Sequence, residues 1–87
     1  MDPEIKKQAK SLKPMVRIGK SGLTDSIFEE IKKHLKKRQI VKVKFLRNSP
    51  YENIKEQSEE IANSTQSEII IIMGITDVFY KKRLQLT

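Results

Sequence analysis

Apolar and polar residues alternate along the chain with two different periods, and the changes of period divide it into segments. Residues 4–12 have apolar positions at helical spacing, and Pro14 ends that segment. Residues 15–18 have the period of a short strand, which places the charged Arg17 on the face opposite its apolar neighbours. The chain is therefore expected to begin with a helix and a strand.

A longer amphipathic segment follows and predicts a second helix. Thr24 is placed to cap its first turn, and Leu23 lies five positions before Phe28, the spacing of a hydrophobic staple. The apolar stripe of this helix runs from Ile27 to Leu35. Its other side and last turn are cationic, with Lys32, Lys33, Lys36, Lys37 and Arg38.

From residue 40 to residue 47 the period changes to two, which predicts a second strand. Its apolar residues share one face, and Lys42 and Lys44 lie on the other. The sequence Ser49-Pro50-Tyr51-Glu52 has the form of a capping box with proline at the first helical position, so a third helix is expected to begin there.

The last third of the chain predicts two more strands. The unbroken apolar run at residues 69–73 is typical of a central strand that is covered on both faces. Residues 74–77 are expected to form a turn, and residues 78–80 a final strand. The predicted architecture is a single compact α/β domain over residues 1–87, ordered α-β-α-β-α-β-β, with a four-stranded mixed sheet.

The charge of the chain is high for its length and is unevenly distributed. The formal net charge is +7 for 87 residues. Residues 1–50 carry 14 Lys and Arg against 5 Asp and Glu, whereas residues 51–87 carry 4 against 6. Such segregation favours a surface that follows a polyanion such as a nucleic acid.

Several functional classes find no support in the sequence. The chain has no cysteine, and a single histidine, His34, cannot form a metal site alone. No cofactor fingerprint or nucleophile motif is present, so we expect no enzyme, no catalytic residue, no metal and no cofactor. The N-terminus lacks a signal-peptide core, and no apolar run is long enough to cross a bilayer, so a cytoplasmic protein is expected.

The main functional motif is the tetrapeptide Gly19-Lys20-Ser21-Gly22, between the first strand and the second helix. Two glycines allow the main chain to turn sharply and approach a ligand, and the amide groups of the following helix favour an anion. The alternative is an ordinary strand-to-helix connection. The spacing of a nucleotide-binding P-loop is absent, so the expected ligand is a phosphate of a nucleic-acid backbone.

The basic residues near this loop are the remaining candidates for contact with RNA. Lysines like those of the second helix usually form a solvated face. We favour RNA contact for some of them because pairs of like charges four positions apart destabilise a helix. Tyr80 could stack on a base or pack in the protein. The predicted RNA-binding residues are Arg17, Gly19, Lys20, Ser21, Gly22, Lys32, Lys33, Lys36, Lys37, Lys42 and Lys44.

An ordered set of short motifs resembles the CRM domain, and the chain resembles a stand-alone member of the YhbY-like proteins. The set comprises residues 12–24, residues 40–44, Gly74 and residues 78–81. Two positions differ from many relatives: Arg38-Gln39 stands in place of His-Glu, and Phe79-Tyr80-Lys81 in place of Leu-Tyr-Arg. The resemblance extends over residues 5 to 83.

The resemblance implies an RNA-binding fold similar to the C-terminal domain of translation initiation factor 3. It also implies RNA contact through the Gly-x-x-Gly loop, residues 19–22, and a role in assembly of the large ribosomal subunit. The expected partner is ribosomal or pre-ribosomal RNA, bound by a monomer that does not engage membranes. Two alternatives remain open, a basic adaptor that docks on an acidic protein partner and a small phosphate-ester enzyme.

Overall fold

The computed structural model describes residues 3–46 and 54–81 of the chain. The helices are α1 (Pro3–Ser11), α2 (Asp25–Arg38) and α3 (Ile54–Thr65), and the strands are β1 (Val16–Ile18), β2 (Ile40–Phe45), β3 (Glu68–Met73) and β4 (Thr76–Tyr80). This confirms the predicted order of elements. The predicted capping box at residues 49–52 and the predicted strand end at Arg47 lie outside the described residues.

The four strands form one mixed sheet in the order β1-β2-β4-β3. β1 and β2 are parallel and are connected through α2, whereas β4 is antiparallel to both β2 and β3. The ends of β1 and β2 therefore lie at the same end of the sheet as the turn between β3 and β4. The mixed α/β sheet predicted from the sequence is confirmed.

The helices cover both faces of the sheet unequally. α2 and α3 pack on one face over the larger core, and α1 packs on the other over a smaller cluster. Burial of apolar side chains on both faces supplies the main driving force for this fold. The buried members of the larger core are Val16, Ile18, Ile31, Leu35, Val41, Val43, Phe45, Ile61 and Phe79. Those of the smaller cluster are Ala9, Ile40 and Val78.

The prediction that residues 69–73 form a central strand is wrong. β3 is an edge strand, and its last two residues, Ile72 and Met73, are 47% and 56% exposed. The central place belongs to β4, in which Val78 and Phe79 are buried, because the chain turns back after β3 and inserts β4 beside β2. An apolar run alone does not indicate which of two hairpin strands lies inward.

The turn between β3 and β4 is shorter than predicted. Met73 pairs with Thr76, so the turn consists of Gly74 and Ile75 alone, and Asp77 lies within β4. Gly74 has a φ of 59°, and the favoured two-residue hairpin turns require a positive φ at this first position. The carbonyl of Ile75 accepts a hydrogen bond from the N–H of Phe45 at 2.8 Å, which joins this turn to the end of β2.

Candidate nucleic-acid interface

The Gly19–Gly22 segment forms a tight turn that exposes its two middle residues. The N–H of Gly22 donates to the carbonyl of Gly19 at 3.0 Å and closes the turn. Gly22 is buried with a φ of 68°, a conformation that favours glycine, whereas Lys20 and Ser21 are exposed. Throughout this article we call these four residues the GxxG loop. Its tip therefore presents an ammonium group and a hydroxyl group to solvent.

The GxxG loop is anchored at both ends by the elements that flank it. On the strand side, the carbonyl of Ile18 accepts a hydrogen bond from the N–H of Leu46 at 2.8 Å. On the helix side, the Thr24 hydroxyl accepts from the N–H of Ile27 at 3.2 Å, which confirms Thr24 as the N-cap of α2. Leu23 and Phe28, the predicted staple residues, both pack against the larger core. The tip is therefore carried by a well-fixed base.

Two details of the loop differ from the expected phosphate clamp. The N–H of Gly22 is occupied by its bond to Gly19, so it does not offer a donor to a ligand. The cap by Thr24 and the carboxylate of Asp25 in the first turn already serve the N-terminus of α2. The hydrogen bonds found among residues 3–46 and 54–81 include none from the N–H of Ser21. The groups of the loop that stay available to a phosphate are the Lys20 ammonium and the Ser21 amide and hydroxyl.

Arg17 and Lys44 form a pair of cations beside the loop, on the sheet face that carries α1. They are register partners in the parallel pairing of β1 with β2, so their side chains lie on one face. Arg17 is exposed and Lys44 is half-buried. Arg17 is two residues before Gly19, and the structure therefore brings these two cations together with the loop.

Lys42, one of the predicted RNA-binding residues, has a structural role. Its ammonium donates to the carbonyl of Leu12 at 2.8 Å and lies 3.5 Å from that of Ala9. These carbonyls are at the C-terminal end of α1, where cations are stabilising. Strand alternation predicted the correct face for Lys42, but that part of the face is covered by α1. Tyr80 also packs against this smaller cluster, while Phe79 lies in the larger core.

The lysines of α2 do not adjoin the GxxG loop. They lie on exposed positions of α2, which packs on the opposite face from Arg17 and Lys44. Eight residues separate Thr24 from Lys32, or about 12 Å along the helix axis at 1.5 Å per residue. Three acids, Asp25, Glu29 and Glu30, occupy the turns between. The predicted binding residues of the loop and those of α2 thus form two separate groups.

Some of these charges interact with each other. The Lys32 ammonium lies 3.6 Å from a carboxylate oxygen of Glu29, one turn earlier in α2. This is an exposed pair, of the kind that contributes little to stability. Within the described part of the chain, no cluster of side chains suits a metal ion, and no helix is both long and apolar enough to cross a membrane.

Comparison with known proteins identifies the family. The sequence matches the CRS1 / YhbY (CRM) domain over residues 3–81. The chain belongs to this family. The match confirms the resemblance that the short motifs carry, and it includes every predicted binding residue.

Two relatives of this CRM-family chain have names that state a binding activity. It is 28% identical to Probable RNA-binding protein YqeI of Bacillus subtilis over 78 residues, which are 90% of this chain and 80% of YqeI. It is also 28% identical over 80 residues to Probable RNA-binding protein MJ0652 of Methanocaldococcus jannaschii. That match covers 91% of this chain and 59% of MJ0652. Both names state RNA binding.

A solved structure shows the same fold. The chain superimposes on the solution structure of the hypothetical protein SAV1595 from Staphylococcus aureus, a candidate RNA-binding protein, with a TM-score of 0.77. The sequences are 26% identical, and the match covers 97% of this chain and 86% of SAV1595. The expected likeness to the C-terminal domain of translation initiation factor 3 stays a prediction.

Proposed function

We propose that this CRM-family chain binds structured RNA through its sugar-phosphate backbone. The names of YqeI and MJ0652 support RNA as the class of ligand. The net charge of +7 supports a polyanionic partner. Contacts to phosphates set the position of a protein on its nucleic acid and carry little sequence information, so recognition by RNA shape is expected.

The observation that carries this proposal is the exposed tip of the GxxG loop on its fixed base. Lys20 supplies a point charge, and Ser21 supplies an amide and a hydroxyl donor, the groups that commonly contact phosphate oxygens. Arg17 and Lys44 extend the cationic surface from the loop across the edge of the sheet. Because the base is fixed, little conformational entropy is lost when the loop binds.

The specific RNA is proposed from the family resemblance. We expect this CRM domain to act on ribosomal RNA during assembly of the large subunit. We propose that it does so as a cytoplasmic monomer. Binding to a transcript of one domain of large-subunit ribosomal RNA, compared with an unrelated structured RNA of equal length, tests this part of the proposal.

The loop is tested by replacing Lys20, whose exposed position makes loss of folding an unexpected result. Lys20→Ala is expected to weaken binding to the ribosomal RNA transcript by about fivefold, the size of one exposed ion pair. Lys20→Glu should weaken it further, because it places a negative charge against the RNA. For Lys20→Ala, the slope of log affinity against log salt concentration, measured from about 50 to 200 mM, should become less steep by about one.

Lys55→Ala is the matched control, because it removes one charge from an exposed position on α3. It is expected to change neither the affinity nor the slope. If Lys20→Glu binds as tightly as the unmodified protein, the loop has no part in the mechanism. Replacing Gly22 is a poor test, since any other residue there would be strained at φ 68°.

The adaptor alternative predicts a different result in cell extract. RNA-mediated association with ribosomal particles should disappear when a lysate is treated with ribonuclease before the protein is captured. Co-purification of the same partners after complete digestion would instead support direct contact with an acidic protein.

A further inference from the structure

A small hollow lies between α2 and the C-terminal end of α3, on the sheet face opposite Arg17 and Lys44. Its volume is about 290 Å³. Among the described residues its lining consists of Lys32, Leu35, Lys36, Thr65 and Lys81. We call it the α2–α3 hollow. Three of these five residues are cations and none is an acid, although α3 itself is acidic.

The backbone fixes the three lysines relative to one another. Lys32 and Lys36 are one turn apart on the flank of α2 next to the buried Leu35. Lys81 follows β4, and its N–H donates to the carbonyl of Gln39 at 2.9 Å. Gln39 in turn caps α2 through its own N–H, which donates to Leu35 at 2.8 Å. The start of the Lys81 side chain is therefore tied to the end of α2.

The floor of the α2–α3 hollow carries no charge, and its hydroxyl group is hydrogen-bonded. Thr65 is buried, and its hydroxyl donates to the carbonyl of Ile61 at 2.7 Å. Leu35 is 3% exposed. The three lysines thus border an uncharged floor, although the Lys32 ammonium also lies 3.6 Å from Glu29. An anion among these lysines would reduce their mutual repulsion.

The two flanks of α2 differ in the charged residues that line them. At 100° per residue, Lys37 lies about 140° around the helix from Lys32, and it does not line the hollow. A broader depression on the outer side of α2, of about 520 Å³, is lined by Lys32, Lys33 and Lys36 together with the carboxylates of Glu29 and Glu30. Those two acids disfavour an anion there, so the α2–α3 hollow is the better anion site.

We propose that the α2–α3 hollow holds a phosphate group of the bound RNA, and that Lys81 is an RNA-binding residue together with Lys32 and Lys36. This inference rests on the proposed function, because the same RNA must also contact the GxxG loop. Twelve residues separate Thr24 from Lys36, or about 18 Å along α2. A folded RNA of ordinary dimensions can reach both points. The two separated groups of cations then serve one ligand.

The proposal is tested with the full chain and the same large-subunit ribosomal RNA transcript. Lys81→Ala should lower the affinity by up to about fivefold and reduce the salt slope by up to about one. The double variant Lys32→Ala/Lys36→Ala should lower the affinity more than Lys81→Ala does. The matched control, Lys33→Ala/Lys37→Ala, removes the same charge from the same helix and should lower it less. Thermal unfolding of each variant checks that the fold is retained.

The outcomes separate this inference from the proposed function. If the unmodified protein binds the transcript and Lys20→Glu weakens binding, while Lys81→Ala has no effect, the hollow is not part of the interface. Equal losses in the two double variants would also overturn it, because total charge rather than position would then account for binding. If the unmodified protein binds neither the transcript nor the unrelated structured RNA, the proposed function itself fails.

Discussion

Asp77 is the one buried carboxylic acid among the described residues, and its surroundings explain why its pKa is raised. It is fully buried in β4, between its register partners Val43 and Ile72. Burial raises the pKa of the Asp77 carboxyl above its ordinary value of 3.8, and the hydrogen bond with the Ser58 hydroxyl partly opposes this shift. Its second oxygen, Oδ1, has no hydrogen-bond partner within the described part of the chain.

The Ser58 hydroxyl shows why a neutral carboxyl suits this site. Its oxygen lies 2.8 Å from the carbonyl oxygen of Ile54 and also contacts Asp77 Oδ2. A hydroxyl carries one proton and can donate to only one of these acceptors. When Asp77 is protonated, it donates to Ser58 while Ser58 donates to Ile54, and both bonds are made.

At this scale we predict how stability depends on pH. Because the pKa is raised in the folded state, the folded protein holds the Asp77 proton more tightly, and its contribution to stability is lost as pH rises from about 4 through the raised value. Asp77→Asn should therefore remove this loss and match or exceed the unmodified protein in free energy of unfolding at pH 7. Urea unfolding at pH 4 and pH 7 measures both proteins.

The difference in free energy of unfolding between the Asn variant and the unmodified protein should grow as the pH is raised from 4 to 7. A loss of more than about 1 kcal/mol in the Asn variant at pH 7, together with a difference in free energy of unfolding that stays the same at pH 4, would contradict a raised pKa for Asp77. Ser58→Ala is the companion variant, since it removes the shared hydroxyl and leaves Asp77 in place.

At the scale of elements, local sequence patterns predicted well which helices and strands exist. They predicted poorly where each strand lies in the sheet. The period of two identified β2, and the Thr24 cap with its apolar stripe identified α2. These features depend on residues that are neighbours in the chain. The position of β3 at the sheet edge depends on how the hairpin folds back, which no local pattern records.

The exchange of roles between β3 and β4 gives a testable difference in stability. Phe79→Ala in β4 should cost about 3–5 kcal/mol, because it removes a fully buried ring from the larger core. Met73→Ala in β3 should change stability by no more than about 0.5 kcal/mol, since that side chain is more than half exposed. Urea denaturation of the two variants measures this contrast. Similar losses in both would contradict the edge position of β3.

At the scale of the whole molecule, cations that look alike in the sequence are divided between the fold and the surface. Lys42 and Lys44 alternate on the same strand face, yet the Lys42 ammonium holds the end of α1 and Lys44 lies beside Arg17. α1 packs over one end of this face, and at the other end Arg17 is exposed. The distribution of charge along the chain does not reveal this division.

Replacing each of these lysines by methionine should separate the two roles. Lys42→Met should lower the free energy of unfolding by about 1–2 kcal/mol, because the carbonyls at the end of α1 lose a charged donor, and should leave RNA affinity nearly unchanged. Lys44→Met should have the opposite effect, with weaker binding to the ribosomal RNA transcript and little loss of stability. The assignment of Lys42 to the fold would be wrong if its variant lost affinity without losing stability.

By itself the sequence determined the order of helices and strands, the start of α2, the family and the cationic character of the first half of the chain. These properties depend on residue type and on spacing along the chain, and both can be counted in the sequence. Only the tertiary structure decided that the N–H of Gly22 bonds to Gly19 within the turn and that Lys42 binds the end of α1. It also decided that Lys81 lines the same hollow as Lys32 and Lys36. Each of these depends on which distant segments meet, and that is fixed when the sheet pairs and the helices pack on its two faces.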